Sequence, residues 1–220
     1  MTERAITKPV RVAMVVAHPD DETLWAGGTV LMNPEWQWNI VCLCRGDDTD
    51  RAGKFHRALE KYGATGTMGN LDDGPEQSPV PNELAQETIL SLLGERSYDL
   101  ILTHSPYGEY TQHRRHEETG RAVASLWESA NLKADQLWMF AYQDSGYGGI
   151  PDPPCPIHNA SQITKLAESI WHTKYSIITQ IYGFDADSYE AKIVQRQEAF
   201  WQFGSPGDLD AWLKKSRSHL

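Results

Sequence analysis

A chain of 220 residues with 40% hydrophobic content is long enough for one α/β domain around a substantial core and short for two, so residues 1–220 are read as a single domain. Thirty acidic residues against twenty basic ones give a formal charge of −10, which argues against a nucleic acid or anionic membrane partner and favours a small molecule. No stretch reaches the ~18–20 apolar residues of a membrane span, and residues 1–9 are too polar for a signal-peptide core, so a soluble, cytoplasmic protein is expected.

Residues 10–16, Val-Arg-Val-Ala-Met-Val-Val, are apolar and β-rich, as in a buried parallel strand. A helix is expected to begin at Asp20 or Asp21, whose charge suits a first turn, and to stop at Asn33-Pro34. A second strand over 39–44 leads through the polar loop Arg45-Gly46-Asp47-Asp48 into a helix over 51–62. A short strand over 66–68 then runs into the turn Leu71-Asp72-Asp73-Gly74. Further along, the pattern predicts a helix over 82–93, a strand over 99–103 ending at His104, a helix over 117–129 and a strand over 136–142. Residues 145–156 read as a Gly/Pro-rich loop, and two more helices are predicted over 161–169 and 189–203. This alternation defines an α/β fold, Rossmann-like, with a largely parallel sheet and helices on both faces.

Cys42 and Cys44 alternate along the second strand and should share one face as buried free thiols; with Cys155 they make an odd number without zinc-finger spacing. Eight Trp and nine Tyr serve a core, a homo-oligomer interface or a sugar-stacking surface, and Trp36 with Trp38 reads as an edge or interface pair.

In an open α/β sheet the ligand crevice lies at the carboxyl ends of the strands, where this sequence gathers its polar residues. His18, Asp20 and Asp21 follow the first strand, Asp47 and Asp48 the second, Asp72 and Asp73 the next, and His104 through His116 the fourth. A catalytic zinc takes about three His or carboxylate ligands and leaves one position for water, whose pKa it lowers toward ~7. His18 and Asp21 can supply two. The third should be an imidazole: His113 with His116, three apart at a helix start, is the preferred pair, with His104 as competitor. Asp20 diverges from Asp21 and is left to take a proton from the attacking water. An imidazole off the metal, His113, would if protonated stabilise the oxyanion. On the blander reading Asp20 and Asp21 merely cap a helix, Asp72 and Asp73 form a turn, and His104 and Tyr110 are ordinary rim residues.

The run Ala17-His18-Pro19-Asp20-Asp21-Glu22 resembles the signature of the LmbE/PIG-L family of zinc-dependent N-acetylglucosaminyl deacetylases, which includes the mycothiol- and bacillithiol-pathway enzymes. The resemblance runs in order over about residues 10–142. It implies one Zn2+ per chain held by His18, Asp21 and His116, with Asp20 as general base and His113 stabilising the oxyanion. The family's Pro-Asp between the two later histidines is Arg114-Arg115 here, which removes a carboxylate that Glu109 or Glu117 would have to replace, and adds cations suited to an anionic substrate group. Arg57 with Glu60, Asp47 after Gly46, Asp73 in its turn, and Tyr110 look like family positions, and are taken as the substrate contacts. The activity implied is removal of an acetyl group from an N-acetylated amino sugar or conjugate. The rivals are a non-catalytic metal-binding module of the same fold and a metal-dependent phosphoesterase or lyase.

Overall fold

The computed structural model describes residues 9–76, 78–110, 113–145 and 153–217. The apolar run after Pro9 becomes β1 (Arg11–Val16), buried from Val12 onward. It is followed by α1 (Asp21–Met32), β2 (Gln37–Cys44), α2 (Thr49–Tyr62), β3 (Thr65–Leu71), α3 (Asn82–Leu93), β4 (Ser97–Thr103), α4 (Arg114–Glu128) and β5 (Lys133–Phe140). The remainder comprises β6 (Tyr142–Asp144), β7 (Pro154–Pro156), β8 (Gln162–Lys165), α5 (Glu168–Ser176), a π-helical turn (Ile177–Ile181), α6 (Tyr189–Lys192), β9 (Gln197–Phe203) and α7 (Pro206–Arg217).

The main sheet runs β3-β2-β1-β4-β5-β9-β8; the first five strands are parallel, β9 is antiparallel to β5, and β8 to β9. Trp25, Phe55, Tyr62 and Ile178 pack on one face against Met14, Ile40, Leu102 and Phe200. Ile89, Val123, Trp127 and Leu209 pack on the other against Val15, Leu43, Ile101 and Met139. This is the expected α/β arrangement with helices on both faces. Strand order reverses between β1 and β4, so the loops leaving these two strands diverge and open a crevice.

Local chemistry fixes the boundaries near that crevice. Asp48 caps α2 by accepting from the Asp50 and Arg51 amides at 3.1 and 3.0 Å, worth ~1 kcal/mol, and Gly63 ends the helix at φ 66°. Every residue of α1 from Asp21 to Val30 is buried, because the helix lies between the sheet and the C-terminal elements. A Cβ on Gly28 would sit 2.5 Å from the end of the Leu166 side chain and 3.0 Å from Glu198 Oε1, so any larger residue would have to displace them. Glu198 on β9 locks the middle of α1. Its carboxylate accepts from the Gly28 amide (2.7 Å), the Thr29 amide (2.6 Å) and the Thr29 hydroxyl (2.7 Å), and pairs with the Lys174 ammonium at 2.7 Å. Both charged side chains are wholly buried.

Three expectations are overturned. The helix predicted over 161–169 is β8 and the start of α5, and the helix over 189–203 shrinks to α6 and gives way to β9. Both segments pair with strands remote in sequence, and β9, rich in aromatic residues, completes a ladder with β5 that local periodicity does not register. Cys42 and Cys44, expected on one face, lie in opposite core clusters, at the point where an extra β3 residue shifts the β2–β3 register. All three cysteines are free, and these two are buried. Of the predicted loop over 145–156, Pro154–Pro156 pairs with β6, while 146–152 lies outside the described residues, as do residues 1–8 of the leader reading. Among the described residues no helix is long and apolar enough to cross a membrane.

Candidate metal centre

His18, Asp20 and Asp21 leave the end of β1, and His113 and His116 open α4 beyond β4, so the crevice between the two strands brings them together. They line a cavity of about 420 Å³ with Trp25, Arg45, Arg51, Asp73 and Tyr110. His18 Nδ1 lies 3.1 Å from His116 Nε2 and 3.3 Å from Asp21 Oδ2, and His116 Nε2 lies 3.4 Å from Asp21 Oδ1. A tetrahedron with arms of ~2.0–2.1 Å has edges of ~3.3–3.4 Å; the two ring nitrogens, with an Asp21 oxygen facing each of them, offer donors for one small divalent ion at about that spacing.

Each donor is held from behind. His18 Nε2 meets Asp73 Oδ1 at 3.1 Å, and His116 Nδ1 meets Glu109 Oε2 at 2.6 Å, so each imidazole turns its other nitrogen to the centre. Asp21 accepts from the His18 amide at 2.8 Å and from the Trp25 indole at 3.0 Å. Desolvation raises the Asp21 pKa, but the imidazoles of His116 and His104 outweigh it and hold the carboxyl well below the usual range. Burial pushes His116 down despite the opposing Asp21 charge. His18, desolvated yet flanked by Asp21 and Asp73, is pushed up to about 10, so an incoming cation displaces a proton from it.

Other donor groupings share these atoms. Asp21, His104 and His116 form one set, and His18, His113 and His116 another, each within 4.8 Å. His104 is not the rim residue expected: it is wholly buried, and its Nε2 accepts the Ala17 amide at 3.1 Å while Nδ1 faces Glu109 at 3.0 Å. The same Nε2 also lies 3.3 Å from Asp21 Oδ2, so this atom faces both the backbone and the Asp21 carboxylate. Glu109 thus serves His104 and His116 together and is pulled down to about 2; desolvation opposes the shift, and the two imidazoles prevail.

The cap reading of Asp20 does not survive. Asp20 takes φ 127°, its side chain makes no capping bond, and its carboxylate instead approaches Arg51 at 3.4 Å within the cavity. Burial, and then the neighbouring Asp21 charge, push its pKa well above the usual value, with Arg51 opposing. His113 stacks on His116 with centroids 4.5 Å apart and meets His18 edge-on at 4.7 Å. Its Nδ1 is buried without a hydrogen-bond partner among the described residues. Burial and the two imidazoles push His113 down to about 4, so the protonated form expected from sequence is replaced by a neutral imidazole. Neither carboxylate suggested as its support is available: Glu109 is engaged as above, and Glu117 pairs with Arg121 at 3.1 Å.

Of the expected substrate contacts, Tyr110 and Asp73 line the cavity. Asp73 also orients His18 and takes a two-pronged contact from Arg45, with Nε and Nη2 each at 2.7 Å. Asp47 is exposed beyond the rim and uses its amide on Asn70 at 2.7 Å. Arg57 is exposed on α2, pointing away because Phe55, Ala58, Leu59 and Tyr62 claim the inward face. Arg51, one turn before Phe55 on that inward face, takes its place, and helical spacing alone could have found it. Arg115, expected as a substrate cation, is buried and ties Asp72 and the Ser78 carbonyl (2.7 Å) to α4, where it also meets Glu118. Arg114 is exposed.

An open α/β sheet with a buried His/Asp cluster at its switch point defines a domain of Rossmann-like build with a candidate metal site. Residues 13–127 match the PIG-L family model, described as GlcNAc-PI de-N-acetylase. The chain belongs to the PIG-L family. It is 25% identical over 119 residues to uncharacterized protein L374 of Acanthamoeba polyphaga mimivirus, a match covering 46% of this chain and 52% of that one, about half that relative's length. Among solved structures it resembles N,N'-diacetylchitobiose deacetylase from Pyrococcus horikoshii at 15% identity (TM-score 0.65), covering 88% of this chain and 84% of the other. It also resembles the A40926 pseudoaglycone deacetylase Dbv21 at 13% identity (TM-score 0.60), covering 90% and 99%. These two likenesses establish the fold.

Proposed function

We propose that this chain is a zinc-dependent amidohydrolase that removes the acetyl group from an N-acetylated amino sugar or sugar conjugate, acting as one domain in the cytoplasm. The observation that carries the reading is the meeting of His18 Nδ1 and His116 Nε2 at 3.1 Å with the Asp21 carboxylate, whose two oxygens face them at 3.3 and 3.4 Å, while a second carboxylate, Asp20, lines the same cavity. Family membership and the activities named for the PIG-L family model and the two deacetylases support the same class.

His18, Asp21 and His116 would hold the ion, which supplies Lewis-acid polarisation and lowers the pKa of water toward ~7. Asp20 takes the proton as water oxygen bonds to the acetamide carbon. Its raised pKa suits it to accept that proton and then return it to the amine nitrogen as the C–N bond breaks, giving acetate and a free amine. A neutral His113 donates an N–H to the tetrahedral oxyanion. Arg51 steadies Asp20 at 3.4 Å, and Tyr110, packed on Trp25 with centroids 5.7 Å apart, offers a flat wall to a sugar ring.

The test measures bound metal and acetate release from a panel of N-acetylhexosamine compounds, in wild type and Asp20→Asn. Wild type should bind one zinc and release acetate, and Asp20→Asn should keep the zinc and lose at least 100-fold in kcat, within the ~10²–10⁴-fold range of general-base catalysis. A wild type that binds no metal and turns over no amide contradicts the proposal.

A further inference from the structure

The first turn of α1 contains a buried carboxylate that the proposed chemistry does not use. Glu22 is wholly buried, and its hydrogen-bond partners are neutral. Oε2 accepts the Asp20 amide at 3.1 Å, and Oε1 accepts the Thr23 hydroxyl at 2.6 Å and the Tyr182 hydroxyl at 2.7 Å. The Tyr62 hydroxyl lies 2.8 Å from the Thr23 oxygen; with the Thr23 proton on Glu22, Tyr62 is the donor. A buried carboxylate held by neutral groups is a costly means of fold cohesion, so its geometry calls for a specific task.

That task is visible in the Asp20 backbone. An aspartate at this position ordinarily folds its side chain over the first amides of its own helix. Here the Asp20 carbonyl takes the Thr23 and Leu24 amides at 2.9 and 2.8 Å, the residue sits at φ 127°, and the carboxylate is released toward the cavity. Such a backbone is unfavourable for a residue with a Cβ and persists only when its surroundings enforce it. Glu22 supplies the enforcement by bonding the Asp20 amide, and Tyr182, at the end of the π-helical turn, holds Glu22.

We infer that Glu22 and Tyr182 are positioning residues for Asp20: the tyrosine fixes the Glu22 carboxylate, and Glu22 fixes the backbone turn that aims the Asp20 carboxylate into the cavity. Tyr182 lies outside the segment matched by the family model, so a residue of the C-terminal segment sets the geometry of the signature loop. The inference rests on Asp20 acting as the general base of the proposed reaction.

The experiment uses zinc-loaded full-length wild type, Tyr182→Phe, Glu22→Gln and the double variant. It combines acetate release from the N-acetylhexosamine panel, zinc content and crystal structures. Tyr182→Phe removes one hydroxyl and keeps the ring, so it should fold even if Glu22→Gln does not. Expected are full zinc content, a kcat at least tenfold lower with KM within twofold, and Asp20 φ moved out of the positive region in the variants. The double variant should be no slower than Glu22→Gln. Asp20 retaining φ near its wild-type value in the variants, an unchanged kcat, or a loss of activity that tracks lost zinc would overturn the inference. A wild type that releases no acetate counts against the proposed function instead, and the Asp20 φ in the variants then decides the inference.

Discussion

Glu109→Gln isolates the contribution of the group behind the metal centre. Glu109 Oε1 accepts two donors, His104 Nδ1 at 3.0 Å and the Ser105 amide at 3.2 Å, whereas Oε2 accepts one, His116 Nδ1 at 2.6 Å. Glutamine has a single acceptor oxygen, which is best used where two donors converge, so its NH2 group turns toward His116 Nδ1. His116 must then offer a lone pair at Nδ1 and carry its proton on Nε2, the atom 3.1 Å from His18 Nδ1 and 3.4 Å from Asp21 Oδ1. Substitutions of this kind lower metal affinity by roughly 10–100-fold, or ~1.4–2.8 kcal/mol. The assay is a zinc competition titration against a chromophoric chelator, with Glu117→Gln as control because Glu117 faces Arg121 at 3.1 Å rather than the centre. A folded Glu109→Gln protein with wild-type zinc affinity would refute the reasoning.

Three further outcomes follow from the same contacts. Arg51→Ala should lower kcat/KM about 10–100-fold, the ~1.5–3 kcal/mol worth of a charge-assisted hydrogen bond, while Arg57→Ala stays within twofold; the reverse ranking would restore the sequence reading. Lys174→Met leaves Glu198 buried without its cation and should cost ~3–5 kcal/mol in urea unfolding; a loss below ~1 kcal/mol would show that the three remaining donors suffice. Burial pushes the Cys44 thiol up to about 12 from an ordinary 9.0, so its stabilising effect is full below pH 9 and is lost as pH rises toward 12. Wild type should therefore lose ~1.1 kcal/mol per pH unit relative to Cys44→Ala between pH 9 and 10.5, and parallel curves would contradict that burial effect.

Much of the fold and of the site was legible where local chemistry decides structure. The β-branched run before His18 and the 82–93 helix appear where periodicity places them; spacing nominated His18 and Asp21 and left His113, His116 and His104 open, and the family resemblance singled out His116. What stayed hidden depends on partners distant in sequence. Residues 197–203 became a strand because β5 offers an open edge, and Cys44 parts from Cys42 where β3 takes three residues, Met68 to Leu71, against two of β2. Asp73 reads as a turn or a substrate contact until His18 and Arg45 are seen against it, and Arg115 reads as a free cation until Asp72 and Ser78 are seen against it. His104 carries no local signal, since its role is set by the Ala17 amide on the adjacent strand end and by Glu109.

The most direct test of the account is anomalous diffraction from zinc-loaded crystals of the full chain. One ion per chain is expected, bound to His18 Nδ1, one Asp21 oxygen and His116 Nε2 at ~2.0–2.2 Å. An ion bound instead through His104 with Asp21 and His116, or through His113 with His18 and His116, would contradict it.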